Sequence, residues 1–425
     1  MIPLLFGALF LLLLAGAQVG VALGIVAWVG SVWSGVPGIV VPQRFFTVLD
    51  SFPLISAPLF ILAGGLMEVG GVSRRLVNFA MAIVGPIRGS LGMVVLVATN
   101  MMSGVSGSST ADTVAIGSVT ISAMRKRGYP PGLATAIAAA SGASASLVPP
   151  SIDMIILGSV VNVSIASLFI AGLVPAIVNG VFVMALTYLF AIRKGLPTEA
   201  WVGWAGLWKA GKEASLPLVM PVIILGGILS GAFTPTEAAV VAVVYAFFLA
   251  AVVYRELKLR DIPKIAYFTV RTTGVVALVI AAASAFAWVL TALHIPQHLT
   301  AMVVSVTREP WQFLLIVNVL LLALGTFLEA IPIIIIMGPI LYPIAESFGI
   351  DPVHFGIIIM ANTGVGFIVP PMGVCLYAAM AISGLRLSRI LPFLFPYILA
   401  LIASLMVITY VPSFSLWLPR LMIGR

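Results

Sequence analysis

Two prolines in succession inside an apolar run constrain this chain more than any other feature. Pro149-Pro150 close the stretch SGASASLVPPS, residues 141–151, within a run apolar enough to enter a bilayer. Paired prolines remove two backbone donors and push the preceding residue out of the helical basin, so a helix must break there. Lipid cannot satisfy the freed backbone; only protein or a wet cavity can, and a break at membrane depth therefore marks a binding site.

The same break recurs. NTGVGFIVPPM, residues 362–372, places Pro370-Pro371 221 residues after the first pair. At that offset Gly117 pairs with Gly338, Gly128 with Gly349, Pro131 with Pro352, Val148 with Val369 and Pro175 with Pro396. Glycine and proline set backbone shape, so the register predicts a structural duplication.

Hydrophobic residues make up 62% of the 425 and charged ones 8%, with mean hydropathy +1.22. A soluble domain does not have this composition; the chain reads as an all-α polytopic membrane protein with room for about ten spans of roughly twenty residues. Its net charge of +8 does not point to nucleic acid, because the basic residues sit in short connections between apolar runs. Ile2 to Gly30 lacks a basic leader and reads as a retained first span. Cys375 is alone and the three histidines, His294, His298 and His354, form no metal set, so an internal disulfide and a transition-metal site are excluded.

In chain order, residues 1–192 form a first repeat with a re-entrant hairpin at about 86–124 and a broken helix at about 130–162. Residues 193–232 form a linker with a Trp-rich amphipathic segment, 201–212, and an extra span, 216–230. Residues 233–413 form the second repeat, with a hairpin at about 311–345 and a broken helix at about 352–382; 414–425 are a C-terminal tail. The basic clusters at 125–127, 193–212, 255–271 and 386–389 all reach the cytoplasm in one topology. That topology opens the first hairpin to the cytoplasm and the second, flanked by Arg308, Glu309 and Glu346, to the other side. It inverts the repeats and leaves Arg420 and Arg425 outside.

Half-helix ends created by the breaks and hairpins can meet near the midplane. Their N-termini favour carboxylates, and their C-terminal carbonyls favour small cations. Pro149 and Pro370 can each open a second half-helix, where the missing donor costs nothing. Hydroxyls at Ser103, Ser106, Ser108, Ser109, Thr110 and Thr326, with carbonyls beside Gly104, Gly325 and Gly364, are the oxygen ligands a hard cation needs; Na+ is the expectation. No intramembrane Lys or Arg is evident to neutralise an anion, so bound Na+ is expected to help supply that charge. Asp112 and Glu329 are intramembrane carboxylates and functional candidates on that ground.

These residues resemble the large membrane subunit of the tripartite ATP-independent periplasmic (TRAP) transporters. The resemblance spans the chain and rests on SGVSGSSTADT at 103–113, LVPPSIDMIILG at 147–158, FTPTEAA at 233–239, GIDPVHFGIIIMAN at 349–362 and GFIVPPMGVCLY at 366–377. It implies Na+-driven uptake of an organic acid, of carboxylate or sialic-acid type, across a bacterial inner membrane. It implies an elevator movement of a transport domain against a scaffold, a small four-helix membrane subunit and a periplasmic substrate-binding protein. It implies no cofactor beyond Na+ as coupling ion.

By resemblance, one Na+ site joins Ser103, Gly104, Ser106 and Ser108 to Gly142 and Pro149, and another joins Gly325 and Thr326 to Asn362, Gly364 and Pro370. Substrate or cavity candidates are Ser109, Thr110, Asp112, Pro150, Ser151, Glu329 and Pro371. The chain departs from the family pattern at Ala145-Ser146-Leu147, where an isoleucine-glycine-proline run is expected, and at Glu329, where an aspartate is common. It starts directly at its first repeat, so the small subunit is expected as a separate polypeptide or lies outside this sequence.

Blander readings compete at several positions. The Ser/Gly tip suits close helix packing as well as ion binding. Thr234-Pro235-Thr236-Glu237 has capping-box spacing, Asp351-Pro352 reads as a helix start and His354 as packing or interfacial; Asp153 suits the dipole of a half-helix but could also repel an anionic substrate, and is left unassigned. A stand-alone Na+/organic anion symporter is the nearest rival function and a channel another. An intramembrane enzyme lacks a catalytic set, since Ser103 has no nearby base.

Overall fold

The computed structural model describes residues 2–295, 297–298, 307 and 309–424; Arg308 and Arg425, used above for topology, lie outside them. Every regular element among the described residues is helical. Seven helices are long and apolar enough to cross a membrane, or eight if one bent pair counts as a span. The chain is a multi-pass membrane protein.

The chain opens with α1 (Ile2–Leu14) and α2 (Val19–Trp33). The expected single span from Ile2 to Gly30 is therefore two helices, separated where Gly16 adopts φ +85°. Next come α3 (Val40–Leu49), α4 (Ser56–Val69) and α5 (Val72–Val84). Helix α5 is amphipathic: Leu76, Val77 and Ala80 are buried while Arg74 and Asn78 are exposed. Arg75 anchors the start of α5, donating to Glu256 at 2.8 Å with its guanidinium 3.6 Å from the Tyr254 ring centroid.

The first hairpin is α6 (Ser90–Ser106) and α7 (Ser109–Lys126). The first broken span is α8 (Pro131–Ser144) and α9 (Ile152–Val161), with a 3-10 turn at Ala145–Leu147 between them. Val148 is extended, with φ −80° and ψ 121°, as the residue before a proline must be, and the Pro149-Pro150 bond is cis. The prolines occupy the break itself rather than opening the second half-helix. That expectation is corrected by the start of α9 at Ile152, whose N–H finds its acceptor in the Gly107 carbonyl at 3.3 Å.

Two boundaries are corrected by α10 (Ile165–Lys194), α11 (Gly203–Leu229), α12 (Pro235–Phe248) and α13 (Ile262–Ala292). The amphipathic segment and the extra span are one helix, α11, which carries Pro217 and Pro221 internally. The basic connection expected over 255–271 ends at Asp261, and α13 takes its last ten positions, Arg271 among them, into the helix. The capping box at Thr234 and Glu237 is present. Trp204 and Trp208 remain exposed on α11.

The second hairpin is α14 (Pro310–Gly325) and α15 (Ala330–Ser347); the second broken span is α16 (Pro352–Gly366) and α17 (Val374–Ser383). Asp351 caps α16, accepting from Val353 N–H at 2.8 Å and His354 N–H at 3.2 Å. Pro370-Pro371 is also cis, and again the second half begins beyond the prolines. Cys375 and Leu376 donate back to the Phe367 carbonyl at 3.0 and 3.3 Å, which satisfies donors a helix start leaves open. The chain closes with α18 (Leu387–Tyr410) and α19 (Ser413–Ile423), so the expected tail is a helix.

The core is built on the breaks. Nearly every residue of α8 and α16 is buried, with small side chains in α8 and isoleucines in α16. At their meeting point Gly364 faces Ser146, and a Cβ on Gly364 would lie 2.4 Å from Ser146 Oγ and 3.1 Å from the Ala143 carbonyl. Only glycine lets the two backbones approach this closely.

Candidate functional site

Hairpin tips and breaks surround a cavity of about 390 Å³. Four helices begin at its wall: α7 through Ser108, Ser109 and Thr110, α9 through Ile152 and Asp153, α15 through Glu329 and Ala330, and α17 through Val374. Some first-turn N–H groups are already taken, Ile152 by the Gly107 carbonyl and Cys375 and Leu376 by the Phe367 carbonyl, yet each helix start carries about half a positive charge. Four of them on one cavity create a surface suited to an anion. The opposite wall comes from α13 and α4, through Phe268, Arg271, Thr272 and Ile61.

The predicted cavity residues divide. Ser109, Thr110 and Glu329 line this space, as does Ser108. Pro150 and Ser151 are buried in the first break and Pro371 is exposed in the second; none of the three is at the cavity wall. Asp112 lies deeper, completely buried, and accepts a hydrogen bond from Ser106 Oγ.

Around Asp112 the first tip and the first break present a set of inward oxygens. Gly107, with φ +67°, turns the chain at the tip, and a Cβ there would stand 2.9 Å from the Pro150 carbonyl. Ser108 N–H donates to Ser106 Oγ at 3.1 Å, and Ser108 Oγ caps α7 by accepting from Ala111 N–H at 3.5 Å. Ser103 Oγ donates to the Ala145 carbonyl at 2.9 Å, tying hairpin to break. Gly104 faces Pro221 and, further off, the Pro149 carbonyl; Gly142 packs against Thr113 and the Ser109 carbonyl. Asp112 Oδ2, Ser141 Oγ and Ser144 Oγ are buried with no hydrogen-bond partner among the described residues. Buried oxygens left unpaired are costly unless something else coordinates them. Carbonyl, hydroxyl and carboxylate oxygens suit a hard monovalent cation, so the residues present fit Na+.

The second tip and break meet differently. Gly325 lies on Gly366, with 3.3 Å from a built Cβ to its Cα, while Thr326 Oγ1 donates to the Ala323 carbonyl at 2.7 Å. Asn362 is fully buried and its Nδ2 donates to Asn318 Oδ1 at 2.6 Å and to the Ile358 carbonyl at 3.0 Å. Asn318 Nδ2 in turn donates to Thr409 Oγ1 at 3.0 Å, and His354 Nε2 donates to the Thr409 carbonyl at 3.2 Å. Asn362 Oδ1 is left without a partner among the described residues. Gly364 contacts the first break and Pro370 is half-buried in the second.

Two participants escaped the sequence reading. Asn318 could have been found as the one amide in the apolar run FLLIVNVLLLALG, residues 313–325, since a polar side chain there needs a buried partner. Arg271 could not, because it stands at the edge of a basic stretch that looks like an ordinary connection. Its place on the cavity wall corrects the expectation that no basic side chain is at hand for an anion.

Interrupted helices whose starts and hairpin tips line an open cavity define an integral membrane protein of the transporter class. The chain belongs to the family described as "Tripartite ATP-independent periplasmic transporter, DctM component", whose model matches residues 6–414. It is 40% identical over 377 residues to the "C4-dicarboxylate TRAP transporter large permease protein DctM" of Pseudomonas aeruginosa, covering 89% of this chain and 88% of that one. It is 38% identical to the "Sialic acid TRAP transporter large permease protein SiaM" of Vibrio cholerae, covering 100% of this chain and 99% of that one. The structure of the Alcanivorax borkumensis YdaH transporter shares the fold, with TM-score 0.60 at 16% identity over 88% of this chain and 87% of that one.

Proposed function

We propose that this chain is the large subunit of a TRAP transporter that takes up an organic acid anion across a bacterial inner membrane, driven by Na+. The observation that carries this reading is the convergence of four helix starts on one cavity. Relatives named for C4-dicarboxylates and for sialic acid support an acid as cargo. The unpartnered oxygens of Asp112, Ser141 and Ser144 beside the Ser103–Ala145 contact support one Na+ position. The Gly325–Gly366 contact and the free Asn362 oxygen support another.

Residues 1–192 and 233–413 are the two repeats, inverted with respect to one another, joined by the linker at 193–232. The matching order of hairpin, broken span and long closing helix in both halves supports this division. The hairpins and broken spans form a transport domain that moves as an elevator against a scaffold containing α4, α11 and α13. A separate small membrane subunit and a periplasmic substrate-binding protein complete the assembly, as the family's tripartite description supports.

The test is reconstitution of all three components in liposomes with an inward Na+ gradient and radiolabelled succinate or N-acetylneuraminate. Accumulation that vanishes when K+ replaces Na+ is expected. Asp112→Ala is expected to insert normally and to lose most Na+-dependent uptake, because it deletes the buried carboxylate at the first tip. Equal uptake and equal Na+ dependence in that variant would remove Asp112 from the ion site, and accumulation without the binding protein would favour a stand-alone symporter.

A further inference from the structure

The geometry points to Arg271 as the group that grips a carboxylate of the cargo, an assignment that rests on the transport reading above. Arg271 lies inside α13, about 14 Å from its start at Ile262 at 1.5 Å per residue, within the stretch long and apolar enough to span a membrane. A charged side chain at such a position is expensive unless it pairs or lines a watery path. Arg271 forms no ion pair among the described residues, yet its side chain is exposed at the cavity wall.

Charge balance explains why one guanidinium matters here. The cavity has two carboxylates of its own, Asp153 in the first turn of α9 and Glu329 at the start of α15. Helix starts contribute about half a positive charge each, so four of them offset roughly two negative charges. Asp153 and Glu329 thus offset part of the helix-start charge, and Arg271 is the one basic side chain among the described residues lining the cavity, where it adds a full charge to attract an acid. Its planar fork is built for a carboxylate, which it can meet through two parallel N–H donors. Thr272 and, from the first tip, Ser109 and Thr110 border the same space, so an acid held at Arg271 has hydroxyl partners for its remaining polar groups. Arg271 and Thr272 stand on α13 while the Ser109 and Thr110 hydroxyls stand on the hairpin. A single cargo molecule thus bridges two elements that the elevator reading assigns to different domains.

The experiment uses the complete three-component assembly in liposomes, with succinate and N-acetylneuraminate as probes. Arg271→Gln is expected to raise KM for the accumulated acid about tenfold or more, the usual loss when a charged hydrogen-bond partner is removed. Arg271→Lys should recover part of it. The Na+ concentration for half-maximal rate at saturating acid should not move, because no proposed ion ligand is touched. A second measurement stands if the Gln variant inserts poorly. In Arg271→Cys, a cationic methanethiosulfonate should restore part of the uptake, an anionic one should not, and the probe acid should slow labelling; the native Cys375 is buried. An unchanged KM, or labelling that the acid does not slow, overturns the Arg271 assignment while transport itself stands. If the unsubstituted assembly accumulates neither acid under a Na+ gradient, the transport reading fails and this assignment falls with it.

Discussion

Gly107 shows how a single position can be fixed by two demands at once. Its backbone is left-handed, with φ +67°, and the Pro150 carbonyl leaves no room for a methyl group. Gly107→Ala is expected to destabilise by about 1–2 kcal/mol from the left-handed backbone alone, with a further loss from pushing the tip off the break. Uptake should fall more than the thermal midpoint suggests, because the displaced tip borders the cavity through Ser108 and Ser109. An alanine variant with unaltered melting and uptake would show that the tip is looser than its contacts imply. Residue-level legibility followed chemistry that is local. The hydroxyls at 103–110 and both proline pairs stand out in the sequence because their types are rare in apolar runs. Asn318 stands out by type, though its partners come from distant elements, whereas Arg271 does not, because its significance comes from a cavity that distant elements build.

At the scale of elements, the sequence reads breaks well and continuations poorly. Prolines and glycines mark the two interruptions, which the structure places between α8 and α9 and between α16 and α17, since each imposes a backbone restriction irrespective of context. Joins were harder. The Trp-rich segment runs unbroken into the next span as α11 and the basic stretch runs into α13, because polarity changes along these helices while the helical backbone does not. The opposite error occurred at residues 15–18, where an apolar run hides a turn. Capping was legible in advance at Asp351, whose carboxylate meets two N–H groups of α16. Asp351→Ala is expected to cost about 1 kcal/mol, seen as a lower unfolding midpoint in detergent with Na+-dependent uptake retained. If uptake disappeared while the midpoint held, the carboxylate would be contacting ion or cargo and not merely opening a helix.

For the whole molecule, the decisive question is whether the hairpin moves relative to α11. A Cβ built on Gly104 of α6 lies 3.6 Å from Pro221 Cβ of α11, inside the range of about 3.5–4.5 Å that a disulfide requires. Gly104→Cys with Pro221→Cys is expected to cross-link on mild oxidation, to stop uptake, and to recover it on reduction. The comparison of oxidised with reduced protein cancels whatever the substitutions do by themselves. Uptake that continues at the same rate in fully cross-linked protein would mean that these two elements travel together, and the elevator reading would need a different dividing line. Sequence pattern suggested two halves, but it held no information on which surfaces slide, since sliding surfaces and fixed ones are both apolar.

The contact of Gly364 with Ser146 and the Ala143 carbonyl also bears on how such a chain can be altered. Each half supplies the floor on which the other stands, so neither is an interchangeable module. A hybrid spliced at the linker from two parents would inherit a mismatched seam in the interior unless 143–146 and 364 came from the same parent. Two interrupted helices leave this molecule divisible in outline and indivisible at its centre.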